Sequence, residues 1–282
     1  EQELTSITRV ASTLLSEYTD TSIENHLEDT AENFKKFAEY EYGQYLDGVK
    51  TEEEAYNSFS NFILDPVFGK VGETGYLAGV NSKGILEIHP RSPGADASGF
   101  DFMKQATAMK NGFIEYEWAN VDEDVPRVKA GGMAYFEPWD IIIWVSSYKN
   151  EFNSLVNVDR IAQSLSSITL GKGGYAWIVD YDGNVIFHPE GSNAFVPAEI
   201  IEKASAVPEE YHVSEFTPDI PEQGSGGGKA LAVYTSIQDL EWIVVSQVPV
   251  SETTVFLKKI FLIMVILAVV SILVINFFVH LI

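Results

Sequence analysis

The chain is 282 residues long, 46% hydrophobic and 12% aromatic, enough to bury one large core or two ordinary ones and not a disordered tail. Forty-one acidic residues against 18 basic ones give a formal net charge of −23, which argues against nucleic acid as a partner and disfavours lying flat on anionic lipid. With no cysteine, disulfide frameworks, thiolate zinc sites and cysteine nucleophiles are excluded.

Glu1 opens into a polar amphipathic segment with no signal peptide, as expected of a processed or trimmed start. Leu4, Ile7, Ala11, Leu14 and Tyr18 then fall at alternating spacings of three and four, the seam of a heptad. Two heptads are short for a coiled coil, and a helix packing on its own domain fits the pattern equally well. Thr21-Ser22-Ile23-Glu24 matches a capping box and predicts a helix restart or kink there. Ile23, Leu27, Ala31, Phe34 and Ala38 continue an apolar face. The reading is one long, interrupted helix followed by a shorter helical stretch around Thr51 to Leu64.

An internal repeat follows. Residues 72–90 (GETGYLAGVNSKGILEIHP) and 171–189 (GKGGYAWIVDYDGNVIFHP) share seven identities at a constant offset of 99, including Gly75/Gly174, Tyr76/Tyr175 and His89/His188. Each copy reads as a β-hairpin whose turn glycine, Gly84 or Gly183, supplies positive φ. Alternation in Gly112 to Trp118 predicts a half-buried strand. At the same offset Ala134-Tyr135 matches Val233-Tyr234, Arg91 stands opposite Glu190, and Tyr116 opposite Glu215. Asn150 to Leu170 has helical periodicity and links the copies, and Gln223 to Gly228 reads as a flexible loop.

Ile260 to Ile282 contains 23 residues without a formal charge, long enough to cross a bilayer as a helix. Lys258 and Lys259 flank only one side of it, so orientation has to come from elsewhere. A span ending at residue 282 leads us to expect a cytoplasmic portion outside this sequence. Of enzyme signatures there is no Walker loop, nucleophile elbow, HExxH or dinucleotide fingerprint, and the five histidines lack metal-ligand spacing. No catalytic residue, metal or cofactor is expected.

The pattern GxxGYxxxVxxxGxxxxHP, then FIEYEW, then KAxxxAYxxPWD resembles the Cache superfamily, extracytoplasmic sensor modules of bacterial and archaeal receptors. The resemblance covers about residues 66–250. It departs at Ile141 to Trp144, where an aromatic and a glycine are more usual, and in the second copy, which lacks a Trp-rich middle strand. It implies an α+β fold: two PAS-like modules with mainly antiparallel sheets on a long N-terminal helix, plus a C-terminal transmembrane helix. The implied order is a helical lead-in at 1–65, a membrane-distal module at 66–149, a linker helix at 150–170, a membrane-proximal module at 171–250 and the membrane segment at 251–282. It also implies that residues 1–257 lie outside the cytoplasm.

Residues kept identically in both copies (His89 with His188, Tyr76 with Tyr175, Gly75 with Gly174) read as scaffold, and ligand specificity belongs where the copies differ. Aromatic walls with a few convergent polar groups make a small-molecule pocket. The candidates are Arg91, Tyr116, Trp118, Lys129, Tyr135 and Trp139 of the first copy. For Trp118 and Trp139 the alternative is core packing, and for Arg91 and Lys129 a solvated surface. The expected function is the sensory region of a transmembrane receptor (chemoreceptor, histidine kinase or nucleotide cyclase) that binds a small carboxylate or amino acid and forms a homodimer through the N-terminal helix. A membrane-anchored surface protein of structural or adhesive type, or a tethered solute-binding protein, are the rivals.

Overall fold

The computed structural model describes residues 2–119, 123, 125–155, 161, 163, 165, 170, 173–189, 191, 196–217, 228–252 and 261–267. Helix α1 (Gln2–Leu46) is continuous over 45 residues. Its buried positions Leu4, Thr8, Ala11, Leu15, Thr19, Ile23, Leu27 and Ala31 step by three or four, one stripe of a 3.6-residue period. The restart predicted at Thr21 does not occur. Thr21 Oγ1 donates to the Glu17 carbonyl at 2.9 Å and Ser22 Oγ to the Tyr18 carbonyl at 2.8 Å. These hydroxyls are satisfied by the preceding turn, so the helix runs on. A capping box forms instead at Thr51, which accepts from Glu54 N at 3.2 Å while its own N–H donates to Glu54 Oε2 at 2.8 Å. It starts α2 (Glu52–Ile63).

The chain divides into two compact units, residues 16–157 and residues 1–15 with 158–282. In the first unit a six-stranded sheet holds β1 (Lys70–Val71), β2 (Gly75–Asn81), β3 (Leu86–Ile88), β4 (Gly112–Trp118), β5 (Arg127–Phe136) and β6 (Ile141–Tyr148). The order is β1-β2-β6-β5-β4, with β3 also on β2, and every pair is antiparallel. One face packs Leu77, Ala130, Ile143 and Val145 against Ile23, Leu27 and Ala31 of α1 and Phe59 of α2. The other packs Ala78, Val80, Met133, Ile142 and Trp144 beneath α3 (Asp101–Met109) through Met103 and Ala106. Covered on both sides, β6 is buried at every residue.

In the second unit the sheet holds β7 (Tyr175–Asp180), β8 (Val185–Phe187), β9 (His212–Phe216), β10 (Ala230–Ile237) and β11 (Trp242–Pro249), in the order β8-β7-β11-β10-β9. Its core joins Trp177, Val179, Tyr234, Ile243 and Val245 to Ile200 and Ala204 of α4 (Ala198–Ala206). On the reverse face Leu4 of α1 packs with Leu170 and Val233, and Thr8 Oγ1 donates to the Val233 carbonyl at 3.2 Å. Leu4 and Ala11 of the heptad seam are thus buried within their own chain, whereas Leu14 and its neighbour Val10 are exposed.

The five shared strands have the same order in both units, and both first hairpins shift register at one place, Gly79/Val80 and Ile178/Val179. Gly84 and Gly183 take φ of +83° and +88° in the turns. The strands of the last hairpins are joined by equivalent 3₁₀ turns, Glu137–Trp139 and Gln238–Leu240, each followed by a left-handed residue, Asp140 or Glu241. Here the offset is 101, which corrects two alignments. Tyr135 pairs with Ile142 and Ser236 with Ile243, so Tyr135 corresponds to Ser236 rather than Tyr234. Tyr116 pairs with Lys129 and Phe216 with Ala230, so Tyr116 corresponds to Phe216 rather than Glu215.

Of the linker, Lys149–Leu155 forms 3₁₀ turns, residues 161, 163 and 165 are helical and Leu170 bridges to Gly174; the rest lies outside the described residues, as do residues 223–227 of the glycine run. Among the described residues no helix is long and apolar enough to cross a membrane. Residues 261–267 are helical with all seven side chains exposed, and the remainder of that apolar run falls outside the described residues.

The first unit depends on how closely α1 approaches β5. A Cβ on Gly132 would stand 2.4 Å from the Leu27 carbonyl carbon and 2.7 Å from Glu28 N, both backbone atoms. Gly132→Ala is expected to destabilise this unit by about 1–3 kcal/mol or more. Gly43→Ala, in the same helix with nothing within 4 Å of the added methyl, should stabilise it by about 0.5–1 kcal/mol. Urea unfolding of the two variants beside the wild type checks both signs.

Candidate ligand site

On the α3 face of the first sheet, Tyr76 and Ala78 of β2, Tyr116 and Trp118 of β4, Lys129 of β5, and Trp144 and Ser146 of β6 line a cavity of about 330 Å³. Phe102 and Met103 of α3, Phe100 before it, and His89 and Arg91 after β3 complete the wall. Strand alternation brings them together, since residues two apart share a face.

Two groupings divide this lining. The first is aromatic. Phe102 stacks on Tyr116 at 4.3 Å and stands edge-on to Trp118 and Trp144 at 5.9 and 6.0 Å; Phe100 meets Trp118 at 5.6 Å. Burial raises the Tyr116 pKa, so its phenol stays neutral.

The second grouping surrounds Tyr76 and is cationic. Lys129 is 1% exposed, and its ammonium lies 5.1 Å from the Tyr76 ring centroid and 4.9 Å from that of Tyr148. It forms no ion pair among the described residues. The nearby carboxylates have other partners. Glu151 accepts from Glu73 N, Thr74 N, Thr74 Oγ1 and Ser147, and Glu123 from Tyr148 and from Arg127 at 2.5 Å. Burial, with Arg91 adding to it, therefore pulls the Lys129 pKa down to about 8 despite Glu151 and Glu123. Arg91 is exposed at the rim, its guanidinium 6.0 Å from the Tyr76 centroid.

His89 joins scaffold to site. Its Nδ1 accepts the backbone N–H groups of Arg91 at 3.1 Å and Ser92 at 2.9 Å, which places the ring proton on Nε2. Nε2 lies 3.1 Å from Tyr76 Oη and donates to it, leaving the Tyr76 hydroxyl proton to point elsewhere. Burial, then the charges of Arg91 and Lys129, hold the His89 pKa near 4, so this neutral arrangement persists at ordinary pH.

Of the sequence candidates, Arg91, Tyr116, Trp118 and Lys129 line the cavity. Tyr135 does not; it lies at the far end of β5, with its hydroxyl 2.9 Å from Asp140 and Lys110 4.0 Å above its ring. Trp139 does not either; its 3₁₀ turn directs the indole to the helix-side core, against Tyr42, Tyr56, Phe59 and Phe136 at 5.0 to 5.8 Å. Tyr76 and His89, read as scaffold, are in the wall, and Phe100, Phe102, Trp144 and Ser146 join them. Helical spacing of Phe102, Met103 and Ala106 was the available signal for the α3 contribution.

An unpaired buried lysine makes the unit less stable than it would otherwise be. At pH 7 folded and unfolded chains both carry its proton, and the folded state bears the desolvation. As pH rises past about 8 the folded protein releases the proton, while the unfolded chain holds it to about 10.5. Stability should climb across that window by on the order of 2–4 kcal/mol. In Lys129→Met this climb should vanish, and the variant should be the more stable at pH 7. Urea titrations at pH 7, 8, 9 and 10 on both proteins measure it; parallel pH profiles would contradict it.

A family model described as "Cache domain" matches residues 2–254. No curated protein matches the chain. Among solved structures, a Cache chemosensory domain solved for carboxylic acid recognition is 17% identical, with a TM-score of 0.38 over 44% of this chain and 92% of that one. A methyl-accepting chemotaxis protein from Vibrio parahaemolyticus is 13% identical, with a TM-score of 0.36 over 54% and 99%. The ligand-binding domain of the Pseudomonas aeruginosa amino acid chemoreceptor PctB, in complex with L-Gln, is 12% identical, with a TM-score of 0.33 over 91% and 93%. None of the three TM-scores reaches 0.5, so the assignment rests on the family model, which spans nearly the whole chain: this protein belongs to the Cache domain family.

Proposed function

We propose that the chain is the extracytoplasmic sensing region of a transmembrane receptor and that the first unit's cavity binds a small organic anion. The observation that carries this reading is Lys129, a buried ammonium facing a cavity without an ion-pair partner among the described residues. A carboxylate entering between Lys129, Arg91 and the Tyr76 hydroxyl supplies the missing charge through charge-assisted hydrogen bonds. The amino acid and carboxylic acid ligands named for Cache structures belong to those proteins, and they set the first compounds to try here. The output domain is of chemoreceptor, histidine kinase or cyclase type.

Calorimetric titration with acetate, propionate, lactate and L-amino acids tests the site. Arg91→Ala, Lys129→Ala and Trp118→Ala should each weaken the best ligand, the two cation variants by roughly 30-fold or more. Tyr175→Phe and Lys229→Ala in the second unit should leave it unchanged. Loss in the second pair with none in the first three would move the site to the second unit.

For the whole chain the reading is a membrane protein anchored by residues near 260–282, with residues 1–257 outside, that pairs with a second copy through the N-terminal helix. Leu14 is half exposed and the sequence contains no cysteine, so Leu14→Cys reports both features. In spheroplasts a membrane-impermeant thiol reagent should label it, and mild oxidation should couple it to its twin. A thiol shielded until lysis would overturn the topology; a labelled thiol that never couples would overturn this interface.

A further inference from the structure

The two units share one framework around the ligand site. Tyr76 and His89 meet edge-on at 4.9 Å and 82°, and Tyr175 and His188 at 5.0 Å and 81°. Behind this pair the units differ by an exchange between adjacent strands. In the first, Ala78 of β2 is paired with Trp144 of β6; in the second, Trp177 of β7 is paired with Val245 of β11. The indole that forms part of the aromatic wall in the first unit thus arises in the second from the position of the small residue on the cavity floor.

Its surroundings show what it does there. Trp177 is 1% exposed, lies 5.7 Å from the His188 ring and donates Nε1–H to Gln247 Oε1 at 2.8 Å. Gln247 stands where the first unit has Ser146, and Ala230 where it has Lys129. Where the first unit has a cavity floored by alanine and faced by a cation, the second has at the equivalent described positions an indole, an amide to hold it and an alanine in place of the lysine. The first cavity, about 330 Å³, is roughly twice the ~150 Å³ known to accommodate benzene. That is room for a ring and a carboxylate together, and acetate would leave most of the aromatic wall uncovered.

We propose that the first unit takes a carboxylate bearing a flat aromatic ring about the size of an indole, and that Trp177 occupies the equivalent space of the second unit, which takes no such ligand. The ring lies over Ala78 among Phe102, Tyr116, Trp118 and Trp144, where edge-to-face and stacked contacts add to burial. The carboxylate meets Lys129 and Arg91. This inference rests on the anion-binding reading of the cavity and adds the ligand's body and the closure of the second unit.

The test is calorimetry on the whole chain in lipid nanodiscs with indole-3-acetate, 3-phenylpropionate, propionate, acetate and indole. The aryl carboxylates should bind with one site per chain and roughly 30-fold or more above propionate. Propionate binding as tightly would overturn the aromatic assignment while leaving the anion site standing; no binding by any carboxylate would remove both. Two sites per chain would overturn the closure of the second unit. The exchange Ala78→Trp with Trp144→Val should abolish binding, and wild-type affinity in that variant would refute the equivalence. Trp177→Ala provides a second arm in case that exchange does not fold. It should open a site that takes indole at least as well as indole-3-acetate, since Ala230 stands where Lys129 would favour the acid, and failure to gain an indole site would count against the proposal.

Discussion

Lys129 sets the terms for the first unit. An ammonium removed from water with no carboxylate to pair it among the described residues is one of the costlier things a core can hold, and its surroundings offset part of that cost. Two tyrosine rings give it partial compensation, and two carboxylates act on it from farther off, each committed to other donors. The strand that carries it is fixed from behind, where Gly132 lets the α1 backbone lie against β5. Relaxing the charge by moving the strand would mean unpacking the helix. For the anion proposed above the cavity is therefore preorganised, its desolvation already incurred, which is the condition under which an anion gains most from meeting a cation.

Around the Trp exchange, the difference between the two units lies in side chains and leaves the paired backbone alone. The turn glycines, the bulge and the left-handed residues after each 3₁₀ turn are retained because each fixes a backbone geometry. The Trp exchange between neighbouring strands alters none of these. A β-sheet face permits such an exchange because paired residues project side by side and draw on the same space above the sheet. One framework thus supports different side chains at the same paired positions.

This also explains what was legible in the sequence. The hairpins could be read because glycine turns, alternation and a constant offset are local properties. The cavity could not be read completely, because its membership depends on register between strands distant in the chain. An offset of 99 serves the first hairpins, but the last hairpins run at 101 and the β4/β9 strands at 100, and those slips of two and one misassign the counterparts of Tyr135 and Tyr116. Trp139 failed differently: a 3₁₀ turn interrupts alternation, so the parity of β5 did not predict its face. Recurrence in both units makes His89 read as scaffold. Its Nδ1 does hold the turn, but its other nitrogen orients a tyrosine in the cavity wall. The restart predicted in α1 failed because a Thr and a Ser can bond back within a helix as readily as they cap one.

Lys149 supplies the comparison that gives Lys129 its meaning. Both are buried lysines at neighbouring strand ends of the same sheet, Lys149 directly following Tyr148, whose ring covers Lys129. Lys149 has Asp20 of α1 at 2.7 Å and Glu115 of β4 at 3.0 Å, and these bonds outweigh burial to raise its pKa. Lys129, also buried and without such partners among the described residues, is shifted the other way. Desolvation acts on both, so the opposite signs isolate the partner as the variable. A charge already paired within the fold joins helix to sheet and has little left to offer a solute. A charge left unpaired beside a cavity of molecular size stays available to an anion, and binding there shifts a conformational equilibrium only where the anion meets that charge better in one arrangement than in the other.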